Sequence, residues 1–274
     1  MTPPAHAPSP VHAPRARLRA ALARGRRPSG TFVKLPAPDV AELCGLAGFD
    51  FIVVDLEHST LTEADAIGLV RHAERCGLPA LVRIPEVDAP LICRLLENGA
   101  AGFQLSMLSG AAQTRALVRA TRFAPEGARS VSLANRAAGF GLRPLDGRPG
   151  GLAAFLAAER ADPPLLVGQI ETPWWRDGTE SWPEVIGDLD VAFVGITDLA
   201  VSLGVEPGGE ELRAAVAEVR AAAHECGIAF GGWTPSLAAA PSQGLDEARY
   251  LVTGSDLQIL AAGLEAAADR GGNG

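Results

Sequence analysis

The sequence is poor in cysteine, lysine and aromatic residues, and it has no long apolar run. The four cysteines form no Cys-x-x-Cys pair, which excludes the usual signatures of a zinc ribbon or a thioredoxin-like redox site. In a chain of 274 residues they are typical of small buried side chains in a reducing compartment, so we expect a cytoplasmic protein. No stretch is long and apolar enough to cross a bilayer, and the N-terminus lacks the apolar segment of a secretory signal.

The net charge and the length indicate a globular protein that acts on small molecules. The formal charge of −8 argues against a general attraction to nucleic acid or to an anionic membrane, and we expect neither partner. The length suffices for one large α/β domain with a sizeable core. Residues 1–27, rich in proline, alanine and arginine, are predicted to be an extension that is disordered to about Pro14 and a short basic helix over 15–24. Residues 28–274 are predicted to form a single domain.

Apolar segments typical of β-strands alternate with helical patterns along the chain. Eight such strands are predicted, over residues 31–34, 51–55, 80–83, 102–105, 165–170, 191–194, 228–230 and 250–252. This alternation favours a (β/α)8 TIM barrel over an open doubly wound sheet, because the glycine-rich dinucleotide fingerprint is absent after the first strand. Residues 124–149 break the pattern and are predicted to be an extended loop, of the kind that is usually functional or lies between subunits.

Polar side chains follow four of the predicted strands at their carboxyl ends, where the loops of a barrel build the active site. Any one of them could be a helix cap or a surface charge, but four strands with such residues favour a shared site. These residues are Asp55, Glu57 and His58 after strand two, Arg83 after strand three, Gln169 and Glu171 after strand five, and Asp198 after strand six.

Glu171 and Asp198 are the candidate metal ligands. They follow adjacent strands, and hard divalent cations such as Mg²⁺ prefer oxygen ligands. Arg83 offers a planar fork that suits a carboxylate or enolate oxygen. The simpler interpretations are a helix N-cap for Asp198 and a salt bridge at the barrel rim for Arg83.

Four motifs together resemble the HpcH/HpaI class II pyruvate aldolases. The resemblance runs from about residue 30 to 263 and rests on the order and spacing of the motifs. They are Asp55-Leu-Glu-His58, Leu-Val-Arg83, Gln169-Ile-Glu171-Thr and the segment from Phe193 through Thr197-Asp198 to Gly204, with Arg122 to Arg129 before the long loop.

The resemblance implies a TIM barrel in a homo-oligomer, hexameric or trimeric, with an exchanged C-terminal helix. It also implies a divalent cation, Mg²⁺ foremost and Mn²⁺ or Co²⁺ as alternatives, held by Glu171 and Asp198. A 4-hydroxy-2-oxo acid would be cleaved reversibly to pyruvate, or a related 2-oxo acid, and an aldehyde. No Schiff-base lysine is needed, which agrees with the scarcity of lysine. The single lysine of the sequence, Lys34, stands at the end of strand one.

The same resemblance assigns roles to the remaining candidates. Arg83 would stabilise the enolate oxygen, and His58 would serve in acid–base catalysis with Asp55 and Glu57 beside it. Gln169 would contact the substrate or a metal-bound water, and the backbone at Gly195 and Thr197 would hold the pyruvate carboxylate.

Three positions depart from the family pattern. Glu97 stands where the family usually has an aspartate paired with the histidine. Gln104 stands where an apolar residue is usual, which could alter the aldehyde pocket. Trp174 and Trp175 could pack at a subunit contact or narrow the site for an unusual acceptor.

Two other functions remain open at this point. The first is a condensing enzyme of the same fold, resembling a citrate synthase of siderophore biosynthesis, which would use an acyl-CoA donor. The second is a non-catalytic barrel that serves as a scaffold. A scaffold would be expected to have lost Glu171, Asp198, Arg83 or His58, and all four are present.

Overall fold

The structure, a computed structural model, describes residues 12–142 and 151–268. Eight parallel strands pair in chain order, and the first pairs with the last, so the sheet closes into a barrel. The predicted (β/α)8 TIM barrel is therefore confirmed. The strands are β1 (Ser29–Val33), β2 (Phe51–Asp55), β3 (Ala80–Ile84), β4 (Gly102–Leu105), β5 (Leu165–Ile170), β6 (Val191–Val194), β7 (Ala229–Thr234) and β8 (Tyr250–Ser255).

Helices surround the barrel, and most of them connect one strand to the next. They are α1 (His12–Ala23), α2 (Pro38–Leu46), α3 (Glu63–Arg75), α4 (Ala89–Glu97), α5 (Ala111–Thr121), α6 (Gly151–Ala161), α7 (Trp182–Ile186), α8 (Ile196–Leu203), α9 (Glu210–Glu225) and α10 (Asp256–Ala268). Local sequence explains several of their starts. At α3, for example, the backbone N–H of Asp65 donates to the Thr62 hydroxyl, and the Asp65 carboxylate accepts from the backbone N–H of Thr62 in a capping box.

The barrel interior contains a layer of aromatic rings. The ring of Phe51 stacks on that of Tyr250 with centroids 4.4 Å apart, and the ring of Phe193 meets Tyr250 edge-on at 6.1 Å. Gly30 lies against Phe51 so closely that a Cβ there would come within 2.3 Å of the ring. The aromatic layer forms a packed floor inside the barrel, beneath the carboxyl ends of the strands, where enzymes of this architecture place their active sites.

Helix α1 packs against the barrel instead of extending away from it. Its Leu18 and Leu22 are buried in the same apolar cluster as the interior residues Leu165 and Val191. The guanidinium of Arg15 is buried and forms an ion pair with Asp162 at 3.0 Å. The division of the chain at residue 27 stays a prediction, and most of the segment predicted to be disordered lies outside the described residues.

Two differences from the predicted elements have physical causes. Strands β7 and β8 run further than predicted, because glycines such as Gly231 weaken the strand pattern although the barrel needs them. A Cβ on Gly231 would lie 2.4 Å from the carbonyl oxygen of Tyr250. Helix α8 was not predicted, because its eight residues directly follow β6. The described part of the predicted loop, to residue 142, contains only the 3₁₀ turn Gly139–Gly141.

The described helices bear on the membrane prediction. Within residues 12–142 and 151–268, none combines the length and the apolar character that a bilayer crossing requires.

Candidate active site

A cavity of about 430 Å³ opens at the carboxyl end of the barrel. Strands β1, β3, β5, β6, β7 and β8 contribute to its wall, so it gathers residues from most of the chain. The polar part of the lining consists of Lys34, Arg83, Gln169, Glu171, Thr197, Asp198, Ser255 and Gln258, and the apolar part includes Phe32, Phe193 and Trp233.

Asp55 and Arg83 form a buried bidentate pair at the base of this cavity. The carboxylate of Asp55 accepts from Arg83 Nε at 2.8 Å and from Nη2 at 2.5 Å, and it lies 3.1 Å from Lys34 Nζ. Burial of Asp55 favours its neutral form, but the hydrogen bonds and charge of Arg83 outweigh this and lower the pKa to about 2. Asp55 is therefore ionised near neutral pH, and its carboxylate fixes the orientation of the Arg83 guanidinium.

The remaining face of Arg83 meets Glu57 and an aromatic ring. Arg83 Nη1 is 3.2 Å from Glu57 Oε2, and the guanidinium carbon lies 4.3 Å from the centre of the Phe32 ring. The Ser106 hydroxyl donates to the same Glu57 oxygen at 2.5 Å. These contacts hold the guanidinium between two carboxylates with its outer N–H groups toward the cavity.

His58 lies at the edge of the site. Its Nε2 is 3.7 Å from Glu57 Oε2, and its side chain is 62 % exposed. The backbone carbonyl of His58 accepts from Lys34 Nζ at 3.0 Å. The imidazole does not line the cavity itself. It is open to solvent, or to another molecule, on the side away from Glu57.

Glu171 is the most enclosed carboxylate of the cavity. One oxygen accepts from the backbone N–H of Met107 at 2.7 Å, and the other accepts from Gln169 Nε2 at 2.7 Å. Burial raises the pKa of Glu171, and the negative charges of Glu57 and Asp198 add to the rise. The backbone of Met107 has φ 49°, in the left-handed region that side chains other than glycine rarely adopt. A strained loop therefore delivers one of the two donors to Glu171.

The start of helix α8 forms the opposite wall of the cavity. Gly195 precedes the helix, and a Cβ at this position would lie 2.5 Å from Cγ of Glu171, so only glycine allows the carboxylate to come this close. Thr197 and Asp198 lie in the first turn of α8. Backbone N–H groups in the first turn have no partner within the helix, and the helix dipole favours an anion there.

The residues of this wall fit a divalent cation. Glu171 and Asp198 bring two carboxylates to one cavity that has room for waters or a bidentate ligand. Burial is the main cause of the raised pKa of Glu171, and a cation would offset the smaller contribution of the negative charges of Glu57 and Asp198. The donor atoms are all oxygens, the set that Mg²⁺ and Mn²⁺ prefer.

The structure brings most of the predicted site residues together, but His58 lies at the edge of the site and Glu97 lies apart from it. Arg83, Gln169, Glu171, Gly195, Thr197 and Asp198 line the cavity, with Asp55 directly below Arg83. Glu97 ends α4 in the outer helical layer, where it lines a separate cavity with Cys93 and Arg119. Within the described residues, no ion pair or hydrogen bond joins Glu97 to His58. Helix α4 ends at Glu97 shortly before β4 begins, so Glu97 lies toward the amino ends of the strands, whereas His58 follows the carboxyl end of β2.

Other contributions had no clear sequence signal. Ser106 and Met107 belong to the loop after β4, and their contacts with Glu57 and Glu171 depend on backbone conformation. Trp233 and Ser255 line the cavity from the glycine-containing ends of β7 and β8, two strands that were predicted too short.

The two adjacent tryptophans lie outside this cavity. Trp174 packs on Trp182 with ring centroids 4.6 Å apart, and the Trp175 indole donates to Glu218. Neither ring lines the cavity, so the prediction that they narrow the site is not supported in this chain.

The fold and the cavity define a TIM barrel with an acidic, polar cavity at the carboxyl end of its strands. The sequence model of the HpcH/HpaI aldolase/citrate lyase family matches residues 28–261, and the chain belongs to this family. The predicted family and enzyme class, a carbon–carbon lyase, are therefore confirmed.

Individual relatives agree with this assignment. The chain is 32 % identical over 223 residues to a hydroxypyruvate/pyruvate aldolase of Sagittula stellata, which covers 80 % of this chain and 83 % of the relative. It is also 32 % identical over 261 residues to a 4-hydroxy-2-oxovalerate aldolase of Rhodococcus jostii, covering 92 % and 95 %. A crystal structure of an HpcH/HpaI aldolase from Desulfitobacterium hafniense superposes with a TM-score of 0.79 at 28 % identity, covering 94 % of this chain and 98 % of that one.

Proposed function

We propose that this protein is a divalent-metal-dependent pyruvate aldolase, which reversibly cleaves a 4-hydroxy-2-oxo acid to pyruvate, or a related 2-oxo acid, and an aldehyde. The observation that carries the proposal is the convergence of Glu171, Asp198 and Arg83 on one cavity at the carboxyl end of the barrel. Two carboxylates for a cation and a guanidinium for a developing oxyanion are the groups that an enolate requires.

Glu171 and Asp198 would hold the cation, for which Mg²⁺ is our first choice and Mn²⁺ or Co²⁺ are alternatives. When bound, the cation supplies a Lewis acid that polarises the 2-oxo group and lowers the cost of forming the enolate. The backbone N–H groups that follow Gly195, including that of Thr197, are placed to hold the carboxylate of the 2-oxo acid.

Arg83 would stabilise the oxygen on which negative charge develops. Its Nε and Nη2 are engaged by Asp55, and one Nη1 hydrogen is directed to Glu57, so further N–H groups remain for a substrate oxygen. Because Asp55 is anionic throughout the physiological pH range, the guanidinium keeps one orientation during the reaction.

His58 would move the proton of the 4-hydroxyl group. In the cleavage direction a base takes this proton, the bond between C3 and C4 breaks, and C4 becomes the carbonyl carbon of the aldehyde. The electron pair of the broken bond forms the enolate, which takes up a proton at C3 to give pyruvate. An imidazole suits this step near neutral pH. Glu57 lies 3.7 Å from His58 and would orient it, with Asp55 in support. Glu97 would pair with His58 only across a contact between two copies of the chain, because within one chain it lies in the outer helical layer.

We further propose that the protein is a homo-oligomer, a hexamer or trimer, with helix α10 exchanged between subunits. Helix α10 contacts β1 and β8 and exposes four large apolar side chains, Leu257, Ile259, Leu260 and Leu264. A second copy would cover this surface. The proposed partners are small 2-oxo acids and aldehydes, with no nucleic acid or membrane. The proposed cytoplasmic location rests on the four cysteines, which are all free.

A coupled assay for pyruvate release tests the proposed function. A panel of 4-hydroxy-2-oxo acids is assayed with EDTA and then with added Mg²⁺, Mn²⁺ or Co²⁺, for the wild-type protein and for Glu171→Gln. We expect turnover that requires a cation and that Glu171→Gln lowers at least about a hundredfold. Turnover that is independent of metal, or a fully active Glu171→Gln variant, would show that the proposed mechanism is wrong.

Two controls make the assay specific. A second group of possible metal ligands lies between α2 and α3 and consists of Glu42, His72 and Cys76. Their ligand atoms lie within 4.8 Å of one another. His72→Ala removes this second group and should leave the metal requirement unchanged. Thiol release from acetyl-CoA with oxaloacetate is measured in parallel, since that activity without pyruvate release would identify a condensing enzyme instead.

A further inference from the structure

A chain of hydrogen bonds crosses the barrel interior and ends on Glu171. The hydroxyl of Tyr250 donates to Gln104 Oε1 at 3.2 Å, and Gln104 Nε2 donates to Gln169 Oε1. Gln169 Nε2 in turn donates to Glu171 Oε1 at 2.7 Å. All four side chains are buried, and Tyr250 and Gln104 do not line the cavity, so these two depend on their protein partners for hydrogen bonds.

The chain has a direction because each amide has a donor side and an acceptor side. An ionised Glu171 only accepts, so Gln169 must turn its NH₂ group toward it and its oxygen away. That oxygen then needs a donor, which Gln104 supplies, and the oxygen of Gln104 receives its own donor from Tyr250. If either amide were reversed, two acceptors would face each other in a buried site, which is costly.

We propose that Gln104 is a positioning residue for the cation site: supported by Tyr250, it holds the Gln169 amide so that Glu171 is presented to the metal in one orientation. This inference rests on the proposed function, since it concerns the same site. Gln104 itself touches neither the cavity nor the reacting atoms.

A role in packing alone would not require a glutamine at this position. Neighbouring interior positions such as Leu81 and Val167 are filled by apolar side chains. A buried amide is tolerated only when its polar atoms are paired, and the partners of Gln104 lead to a candidate metal ligand. One consequence concerns Gln169. Its oxygen accepts from Gln104 inside the barrel, so its NH₂ group is the part that is turned toward Glu171.

The experiment is a Mn²⁺ titration of the full-length protein, followed by the EPR signal of free Mn²⁺. Gln104→Met keeps the length of the side chain but removes both hydrogen bonds, and we expect it to raise the Kd for Mn²⁺ about tenfold. Tyr250→Phe should raise Kd in the same direction but less. The double variant should bind no more weakly than Gln104→Met, because Tyr250 acts only through Gln104.

Thr114→Val is the matched control. The Thr114 hydroxyl donates to the carbonyl of Val185 at 2.6 Å in a buried contact among the outer helices. We expect this variant to lower the melting temperature without changing the Kd for Mn²⁺. If Gln104→Met and Tyr250→Phe do the same, the chain has only a structural role and the inference is wrong. If Gln104→Met does not fold, Tyr250→Phe decides alone.

The same titration separates this inference from the proposed function. Glu171→Gln should abolish Mn²⁺ binding at the site. If it does and the Gln104 and Tyr250 variants bind normally, only the positioning role fails. If Glu171→Gln leaves Mn²⁺ binding intact, the assigned metal site itself is wrong. Additive effects of the two single variants would also contradict a chain that acts through Gln104.

Discussion

At the scale of single residues, Gly195 determines how closely Glu171 can approach helix α8. The φ of Gly195 is −86°, which any residue can adopt, so the requirement for glycine is steric. A Cβ would lie 2.5 Å from Cγ and 2.6 Å from Oε1 of Glu171. The carboxylate would have to move away from the position at which it faces Asp198 across the cavity.

We therefore expect Gly195→Ala to fold but to bind Mn²⁺ about tenfold more weakly, as measured in the same titration. Gly45→Ala is the matched control. Gly45 lies within α2 with open space around it, so alanine should stabilise the protein by about 0.5–1 kcal/mol and leave Mn²⁺ affinity unchanged. Equal affinities for both variants would mean that Glu171 does not need its present position.

Asp55 makes a second residue-scale prediction, on the pH dependence of stability. Its pKa falls from 3.8 to about 2 on folding, so the folded state favours the ionised carboxylate. This contributes roughly 2 kcal/mol above pH 4, which is lost as the pH falls from about 4 toward 2. Asp55→Asn lacks the contribution and leaves Arg83 without its bidentate partner, so we expect a large loss of stability at pH 7.

Urea unfolding at a series of pH values measures this difference. The gap in unfolding free energy between wild type and Asp55→Asn should be constant above about pH 5 and narrow below pH 4, because wild-type Asp55 then becomes neutral as well. A gap that keeps its full size at the lowest pH at which both proteins fold would rule out the assigned charge state.

At the scale of elements, the sequence predicted strands more reliably than the connections between them. Strand β2 is an uninterrupted apolar run that ends in Asp55, and buried parallel strands require this pattern. Glu171 and Asp198 were found because they follow such runs. Helix α8 was missed because its eight residues directly follow β6, and the left-handed backbone at Met107 was missed because its contact with Glu171 has no local signature. Glu97 was assigned to the site by the family resemblance alone. The periodicity of α4 does not predict whether the Glu97 side chain points toward the site or away from it.

Helix α1 gives the element-scale prediction. It was predicted from composition as a short basic helix in an extension, whereas Leu18 is 3 % exposed in the barrel cluster. Leu18→Ala should therefore destabilise the protein by roughly 2–4 kcal/mol in urea unfolding. Leu43→Ala on α2, where the leucine is 63 % exposed, should change stability by less than about 0.5 kcal/mol. Equal, small effects would mean that α1 does not pack on the barrel in solution.

At the scale of the whole molecule, a single chain leaves an apolar helix face uncovered and His58 without its predicted partner Glu97. Helix α10 exposes Leu260 and Leu264 by 48 % and 61 %, and large exposed apolar patches usually mark an interface. His58 is exposed on the side away from Glu57, while Glu97 lies in the outer layer of the same chain. A second copy of the chain could bury the apolar face of α10. A second copy could also bring its own Glu97 to His58.

The proposed oligomer links these two features and can be tested by a single substitution. Leu264→Glu places a charge in the apolar face of α10, so we expect sedimentation velocity to show a smaller species than the wild-type hexamer or trimer. Glu265→Gln on the same helix is the control and should leave the mass unchanged.

If Glu97 reaches His58 across the interface, the dissociated variant should also lose kcat while it retains Mn²⁺ affinity, because Glu171 and Asp198 come from one chain. Dissociation with unchanged kcat would remove Glu97 from the mechanism, and a monomeric wild-type protein would contradict the exchange of α10 while leaving the metal site untouched.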